Sequence, residues 1–307
     1  MLAALTSVRE YIRSCYDTIF HPGYFIGITA MLAVIISLNY GYPFSPGNYR
    51  EHSFFLDYLL FLLPFSFAYL LQWFYFKKDR GNFSRPWFWI LLFTAPALFA
   101  FRVNVVFPAT YVKSVFAAED NRYLRSVINY IVKVFVLVIP VIVIWYVKDR
   151  KLFRLYGIGS SKNNKLYFLL LVMMIPLVLL AASTTDFLNN YPKAQTNAGL
   201  YPSDSVWKFL IFELAYGFDF LSIEFFFRGF LVIAFMRYCG MRAIIPAACF
   251  YCCIHLGKPM AEAISSFFGG LLLGMISYHT LSIWGGLFIH IGIAWLMEVA
   301  AYVSHHF

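Results

Sequence analysis

The chain has few charged residues and no extended polar region, and both shortages limit the kinds of protein it can be. Only 13% of its 307 residues are Asp, Glu, Lys or Arg, whereas 61% are hydrophobic. A soluble domain averages about 25% charged residues. The sequence also contains no low-complexity linker, no soluble domain and no repeat of about 20–50 residues. The composition therefore indicates an integral membrane protein.

Cysteines are scarce, and their spacing matches neither a disulfide framework nor a zinc ribbon. Of five cysteines, Cys249, Cys252 and Cys253 fall in one apolar segment, where we expect buried structural thiols. The net charge of +9 is spread over loops and forms no stripe that would follow a nucleic-acid backbone. We therefore expect no nucleic-acid partner.

The N-terminus lacks the pattern of a cleavable signal peptide. About twenty mixed residues precede the first apolar run, and no small-x-small site follows that run. Arg9, Glu10 and Arg13 alternate with apolar residues, so residues 1–21 are predicted to form an amphipathic helix at the membrane interface.

Long apolar runs predict an all-α polytopic membrane protein with a bundle of eight to nine transmembrane helices, since each span needs about 20 apolar residues. Five spans fall in an N-terminal region, residues 1–200, to which the sequence assigns no role. The remainder fall in residues 201–307. The run 86–102 is short enough to be re-entrant, and 206–237 is long enough to tilt or to break near Gly217. The candidate spans are 23–41, 54–76, 86–102, 126–147, 165–184, 206–237, 241–256, 262–279 and 281–303.

Basic residues cluster in alternate loops and predict an orientation. They precede the first span and follow the second, fourth and sixth spans. Because Lys and Arg concentrate in cytoplasmic loops, we expect a multi-pass protein of the cell membrane with its N-terminus in the cytoplasm. The lipid bilayer is thus an expected partner.

Ionisable residues interrupt the last apolar spans. Glu224 and Arg228 are spaced i, i+4, and His255 and His290 follow in later spans. Such residues are costly at bilayer depth and persist mainly where they pair or function. At about 1.5 Å per residue, Glu224 and His255 lie about 20 Å from the turn between their helices, and His290 about 13 Å deep. We expect one shared site, although an ion pair and hydrogen-bonded structural histidines would also explain these residues.

The ordered set resembles the CPBP membrane proteins, which include the type II CAAX prenyl endopeptidases and the abortive-infection and bacteriocin-immunity proteins. The family pattern is Glu-Glu-x-x-x-Arg, then Phe-x-x-x-His, then His-x-x-x-Asn or Asp. The resemblance covers about residues 205–303. It is carried by Ile223-Glu224-Phe225-Phe226-Phe227-Arg228, Tyr251-Cys252-Cys253-Ile254-His255 and His290-Ile291-Gly292-Ile293-Ala294.

The resemblance implies an intramembrane endopeptidase that acts on membrane proteins or lipid-linked peptides. It implies that Glu224 activates water with the help of His255. His290 would stabilise the oxyanion, and Arg228 would hold Glu224 ionised.

The chain departs from the family pattern at three positions. Ile223 replaces the first glutamate, which the family is thought to use as general base, and Ala294 replaces the closing Asn or Asp. Tyr251 occupies the place of the motif phenylalanine. General-base catalysis contributes about 10²–10⁴-fold and one oxyanion donor about 10²–10³-fold. The losses favour an alternative, a catalytically inactive member that binds a partner as an immunity or regulatory protein.

Two further alternatives remain open. Midplane charges and broken helices also occur in transporters, although no inverted repeat is visible here. Two histidines and one glutamate are a possible zinc set. Because His255 and His290 lie on separate helices without a His-x-x-x-His pairing, we expect no metal and no other cofactor.

Overall fold

The computed structural model describes residues 2–41, 53–108, 110–111, 120–159 and 164–306. The described residues contain helices and no strand, so the predicted all-α fold is confirmed. We number the longer helices in chain order. They are α1 (Leu2–Ile19), α2 (Pro22–Gly41), α3 (Phe54–Tyr75), α4 (Pro86–Asn104), α5 (Asn121–Ile144), α6 (Asn164–Ala182), α7 (Val206–Glu224), α8 (Ile244–Cys253), α9 (Met260–Thr280) and α10 (Trp284–His306).

Seven helices in the described part of the chain are long and apolar enough to cross a membrane, namely α2 to α6, α9 and α10. Helix α4, whose short sequence run allowed a re-entrant segment, has 19 residues and begins with Pro86 in its first turn. Helix α7 carries Lys208, Glu213, Asp219 and Glu224, so it is more polar than a simple span. It continues as a π-helix over Phe225–Ala234 and is therefore long enough to cross as well.

Helix α8 is shorter than the span predicted at 241–256. It has ten residues and is about 15 Å long, whereas the hydrocarbon core of a membrane is about 30 Å thick. Gly240 precedes it with a φ of 57°, and Gly257 follows with a φ of 86°, so the chain turns at both ends. All ten residues are buried, which places α8 in the interior of the bundle.

Of the two outcomes that the length of 206–237 allowed, a tilt or a break near Gly217, the break is absent, and the helix changes its hydrogen-bonding register at Phe225. Gly217 serves a different purpose, because a Cβ there would lie 3.4 Å from Trp295 on α10. Gly229, within the π-helix, lies against the main-chain oxygen of Tyr156. Both glycines permit close packing and leave the helix unbroken at Gly217.

An aromatic core joins the N-terminal helices to the C-terminal ones. Phe250 of α8 lies 5.1 Å from Phe61 of α3 and 5.3 Å from Phe227 of the π-helix, between ring centroids. Phe99 of α4 lies 5.4 Å from Phe227. Such edge-to-face and offset contacts bury large apolar surfaces and fix ring orientation. Helices α3 and α4 thus form one core with the helices that carry the ionisable residues.

Helix α1 occupies most of the predicted amphipathic segment. Its Tyr11 stacks on His279 of α9 with ring centroids 4.3 Å apart. The side chains of Leu2, Leu5 and Val8, apolar residues of this segment, lie outside the described part of the structure.

Candidate active site

Glu224 and Arg228 meet on one helical face, as their spacing predicts. Both side chains are buried, and Arg228 Nε lies 3.4 Å from Glu224 Oε2. Glu224 ends α7, whereas Arg228 lies in the π-helix that follows. A buried charge is costly unless it is paired, so the two side chains stabilise each other against the apolar surroundings.

His290 of α10 reaches the same carboxylate. Its Nδ1 lies 2.9 Å from Glu224 Oε1. A carboxylate can only accept, so Nδ1 donates and the neutral ring keeps an electron pair on Nε2. Gly286, one turn earlier on α10, lies against Glu224 Oε2 with no room for a Cβ. The glycine is therefore required for the close approach of α10 to Glu224.

Tyr251 of α8 completes a chain of three polar groups. Its hydroxyl lies 3.2 Å from His290 Nε2 and donates to that nitrogen in the tautomer just described. Its ring lies under Arg228, whose guanidinium carbon is 4.5 Å from the ring centroid. A carboxylate, an imidazole and a hydroxyl are thus connected in series, with a cation beside them.

His255 lies one contact away from this chain. Its ring centroid is 4.6 Å from that of Tyr251, and its Nδ1 is 2.8 Å from the Tyr251 main-chain oxygen. That bond makes Nδ1 the donor and Nε2 an acceptor. Among the described residues His255 has no hydrogen bond to Glu224, Arg228 or His290. The structure brings three of the four predicted residues into direct contact and places the fourth beside Tyr251.

Three buried polar atoms at the site have no hydrogen-bond partner among the described residues. They are Glu224 Oε2 and the Nε and Nη2 atoms of Arg228. An unsatisfied buried polar group costs about 1–3 kcal/mol, and native proteins contain few of them. These atoms lie beside His290, whose side chain remains 16% exposed, and we treat the cluster as the candidate functional site.

Two other membrane-depth carboxylates are engaged elsewhere. Asp219 forms two contacts of 2.6 Å with Arg102 of α4. Glu298 accepts the main-chain N–H groups of Lys193 and Ala194, at 2.6 and 3.1 Å. These bonds hold the carboxylates of Asp219 and Glu298 away from the Glu224 cluster.

Lys258 and Glu262 form an ion pair, with Lys258 Nζ 2.6 Å from Glu262 Oε1. The Tyr191 hydroxyl also donates to Glu262, at 3.1 Å. The Glu262 carboxylate is therefore occupied by partners outside the Glu224 cluster.

Three features of the site lie beyond the motifs. The Tyr251 hydroxyl is visible in sequence only as a tyrosine at an aromatic motif position. Gly286 is one of several glycines near His290, and nothing local distinguishes it. The Arg102–Asp219 pair joins residues 117 positions apart, so no local pattern predicts it.

The described residues include no group of three or more His, Cys, Asp or Glu side chains that could hold a metal ion. Glu224 and His290 contact each other directly, and His255 is turned toward its own helix. That the protein binds no metal stays a prediction.

Comparison with known protein families gives one match. Residues 205–296 fit the family model described as "Type II CAAX prenyl endopeptidase Rce1-like". These residues form an Rce1-like region. The match confirms the resemblance carried by the three motifs and makes this a region of the CAAX-type membrane protease kind. No curated protein matches the chain, and no solved structure does.

The Rce1-like region holds every member of the polar cluster. Glu224, Arg228, Tyr251, His255 and His290 all fall between its limits. The region covers less than a third of the chain, and α1 to α6 lie outside it. Those helices nevertheless supply Arg102 and much of the aromatic core around the site.

Proposed function

We propose that this chain is an intramembrane endopeptidase that hydrolyses peptide bonds of membrane-associated proteins, with lipid-linked, CAAX-like peptides as one substrate class. The observation that carries the proposal is the series Glu224–His290–Tyr251 within the Rce1-like region. A carboxylate that orients an imidazole, with a hydroxyl on the other ring nitrogen, is an arrangement suited to proton transfer.

In this mechanism His290 is the general base and Glu224 orients it. Glu224 has no exposed surface, whereas His290 is partly exposed, so water reaches the imidazole more readily than the carboxylate. This division of labour differs from the one that the family resemblance implies. It also removes the need for a carboxylate at Ile223, which is buried and 7% exposed.

The proton balance of the reaction is simple. Water bound at His290 Nε2 attacks the carbonyl carbon of the substrate, and its proton passes to Nε2. Glu224 stabilises the resulting imidazolium through Nδ1. The C–N bond then breaks, and the Nε2 proton passes to the leaving amine, giving a carboxylic acid and an amine.

The developing oxyanion is stabilised by Tyr251 and Arg228. When water replaces Tyr251 as the donor to Nε2, the Tyr251 hydroxyl turns and donates to the carbonyl oxygen. The Nε and Nη2 atoms of Arg228, which have no hydrogen-bond partner among the described residues, add positive charge beside the oxyanion. These donors take the place of the side chain missing at Ala294. His255, whose Nε2 is an acceptor, assists by orienting the water or the leaving amine.

A binding or regulatory role is the competing function. Ile223 and Ala294 favour it, because each lacks the side chain used by the family's motif. In that case the unpartnered nitrogens of Arg228 would bind a partner's carbonyl or carboxylate oxygen and no bond would be cleaved. The two functions differ in whether new peptide termini form.

The test is a proteome-wide comparison of peptide termini in membranes that contain either the wild type or a Glu224→Ala, His255→Ala variant. A Glu10→Ala variant, which changes an exposed carboxylate on α1, is the matched control. We expect new termini with the wild type and the control only. Identical termini in all three membranes, at equal protein levels, would contradict the peptidase and favour the binding role.

A further inference from the structure

A cavity lies outside the Rce1-like region, on the flank of the bundle. It has a volume of about 820 Å³ and opens between α2, α3 and α4. Its walls are apolar, and its one charged lining residue within the described part of the chain is Arg80. The walls are formed by residues such as Ile35, Leu63, Leu70, Phe88 and Leu92. We call this cavity the flank groove.

The flank groove is separate from the candidate active site. Phe65 and Phe250 lie between them, with ring centroids 5.6 Å apart, and Phe227 packs 5.3 Å from Phe250. Tyr251 follows at 4.9 Å from Phe227. These packed rings lie between the groove and the residues around His290, so the groove is a separate feature of the bundle.

The dimensions of the groove match one membrane leaflet. From Leu63 to Trp73 it follows ten residues of α3, about 15 Å, which is half of the hydrocarbon thickness of about 30 Å. Its outer edge includes Leu63, Leu70 and Trp73, whose side chains are 60%, 58% and 43% exposed. A lipid acyl chain that enters the groove laterally from the bilayer would therefore lie along α3, with its terminal carbon near the interior of the bundle.

Arg80 sits at the surface end of the groove, where α3 ends at Tyr75. Its Nε donates to the Trp73 main-chain oxygen at 3.0 Å and its Nη2 to that of Phe74 at 3.3 Å. Its guanidinium carbon lies 4.7 Å above the Trp73 ring. These contacts fix the guanidinium at the mouth, while Nη1 has no hydrogen bond to a described residue.

The loop around Arg80 carries an excess of positive charge, with four basic residues against the single carboxylate of Asp79. Lys77, Lys78 and Arg85 are exposed, and none of them pairs with a described carboxylate. A fixed guanidinium and three nearby cations favour an anionic group at the mouth, and an anionic headgroup lies at this level in a leaflet.

We propose that the flank groove binds an anionic glycerophospholipid, with an acyl chain along α3 and its phosphate at Arg80. The bound lipid covers the side of the bundle against which α8 and the π-helix pack. The proposal does not depend on peptidase activity, because neither the groove nor Arg80 contacts the Glu224 cluster.

The test uses the full chain reconstituted in nanodiscs with photo-crosslinkable lipids that carry a diazirine on the acyl chain. One probe has a phosphatidylglycerol headgroup and the other a phosphatidylcholine headgroup. We expect the phosphatidylglycerol probe to label residues 63–73 and 86–92 preferentially. Uniform labelling around the bundle, or equal labelling by both probes, would overturn the proposal.

Charge variants give a second readout. Each cation near an anionic surface changes affinity by about fivefold. We expect about a fivefold loss of phosphatidylglycerol retention for Arg80→Gln and a similar loss for Lys78→Gln. Arg9→Gln, an equal charge change on exposed α1, should leave retention unchanged. Equal retention by all three variants would contradict an anionic site at Arg80.

Discussion

The ion pair between Glu224 and Arg228 permits a quantitative test of the site. Glu224→Gln keeps the shape of the side chain but removes its charge, so a buried Arg228 cation loses its partner. Breaking a buried pair from one side costs about 3–5 kcal/mol, whereas replacing both partners by uncharged groups is often neutral. Arg228 Nε is 3.4 Å from Glu224 Oε2, and neither atom has a hydrogen-bond partner among the described residues, so little compensation is available.

We therefore expect Glu224→Gln and Arg228→Met each to lose about 3–5 kcal/mol of unfolding free energy. The double variant should lie within about 1.5 kcal/mol of the wild type, since a volume-conserving swap costs little. The coupling energy would then be several kcal/mol, well above the roughly 0.5–3 kcal/mol that contacting residues usually show. Unfolding in bicelles measures all four members of the cycle.

The exposed pair Arg13–Asp17 on α1 is the matched control. Its atoms are 4.0 Å apart and both side chains are largely exposed, so its coupling should be below about 1 kcal/mol. Additive losses at Glu224 and Arg228, or a Glu224→Gln variant as stable as the wild type, would refute a charged pair in a dry site.

Four further predictions follow from the geometry. Gly286→Ala should displace the Glu224 carboxylate and abolish cleavage, while Gly269→Ala, with open space around its Cβ position, should leave cleavage unchanged in the same termini assay. Tyr251→Phe should keep the fold and lower the cleavage rate about 10²–10³-fold, and an unchanged rate would remove Tyr251 from the mechanism. Asp219→Asn should cost about 3–5 kcal/mol in bicelle unfolding, because it breaks the pair with buried Arg102, and a neutral effect would contradict that pairing. Burial lowers the pKa of Lys193 from 10.5 to about 8, so between these pH values the unfolded chain binds more protons than the folded chain. The wild type should therefore gain stability relative to Lys193→Met as the pH rises from 8 to 10.5. Parallel curves of stability against pH for the two proteins would contradict this prediction.

The membrane fold follows from sequence because its signals are local. Each apolar run of α2 to α6, α9 and α10 carries its own length and hydrophobicity. The rarity of charge at bilayer depth likewise marks Glu224, Arg228, His255 and His290 without any knowledge of tertiary contacts. The turn at 237–242 predicts that Glu224 and His255 lie at similar depth, but in the structure His255 contacts Tyr251 and has no hydrogen bond to Glu224.

Features that depend on distant partners could not be predicted. The register change at Phe225 and the length of α8 depend on how these segments pack inside the bundle. An apolar run does not distinguish a span from a half-length buried helix. The Tyr251 hydroxyl gains its meaning only from His290, which lies 39 residues later. Orientation of the N-terminus stays a prediction, because it rests on loop charges alone.

The most direct test of the central claim is chemical rescue of His290. A His290→Ala variant leaves a space that the 16% exposure of the native side chain connects to the surroundings, so free imidazole can enter. We predict that the variant loses cleavage and that added imidazole restores it at least tenfold, whereas imidazole does nothing for Glu224→Ala. A folded His290→Ala variant that cleaves at the wild-type rate without imidazole would contradict the assignment of His290 as the base.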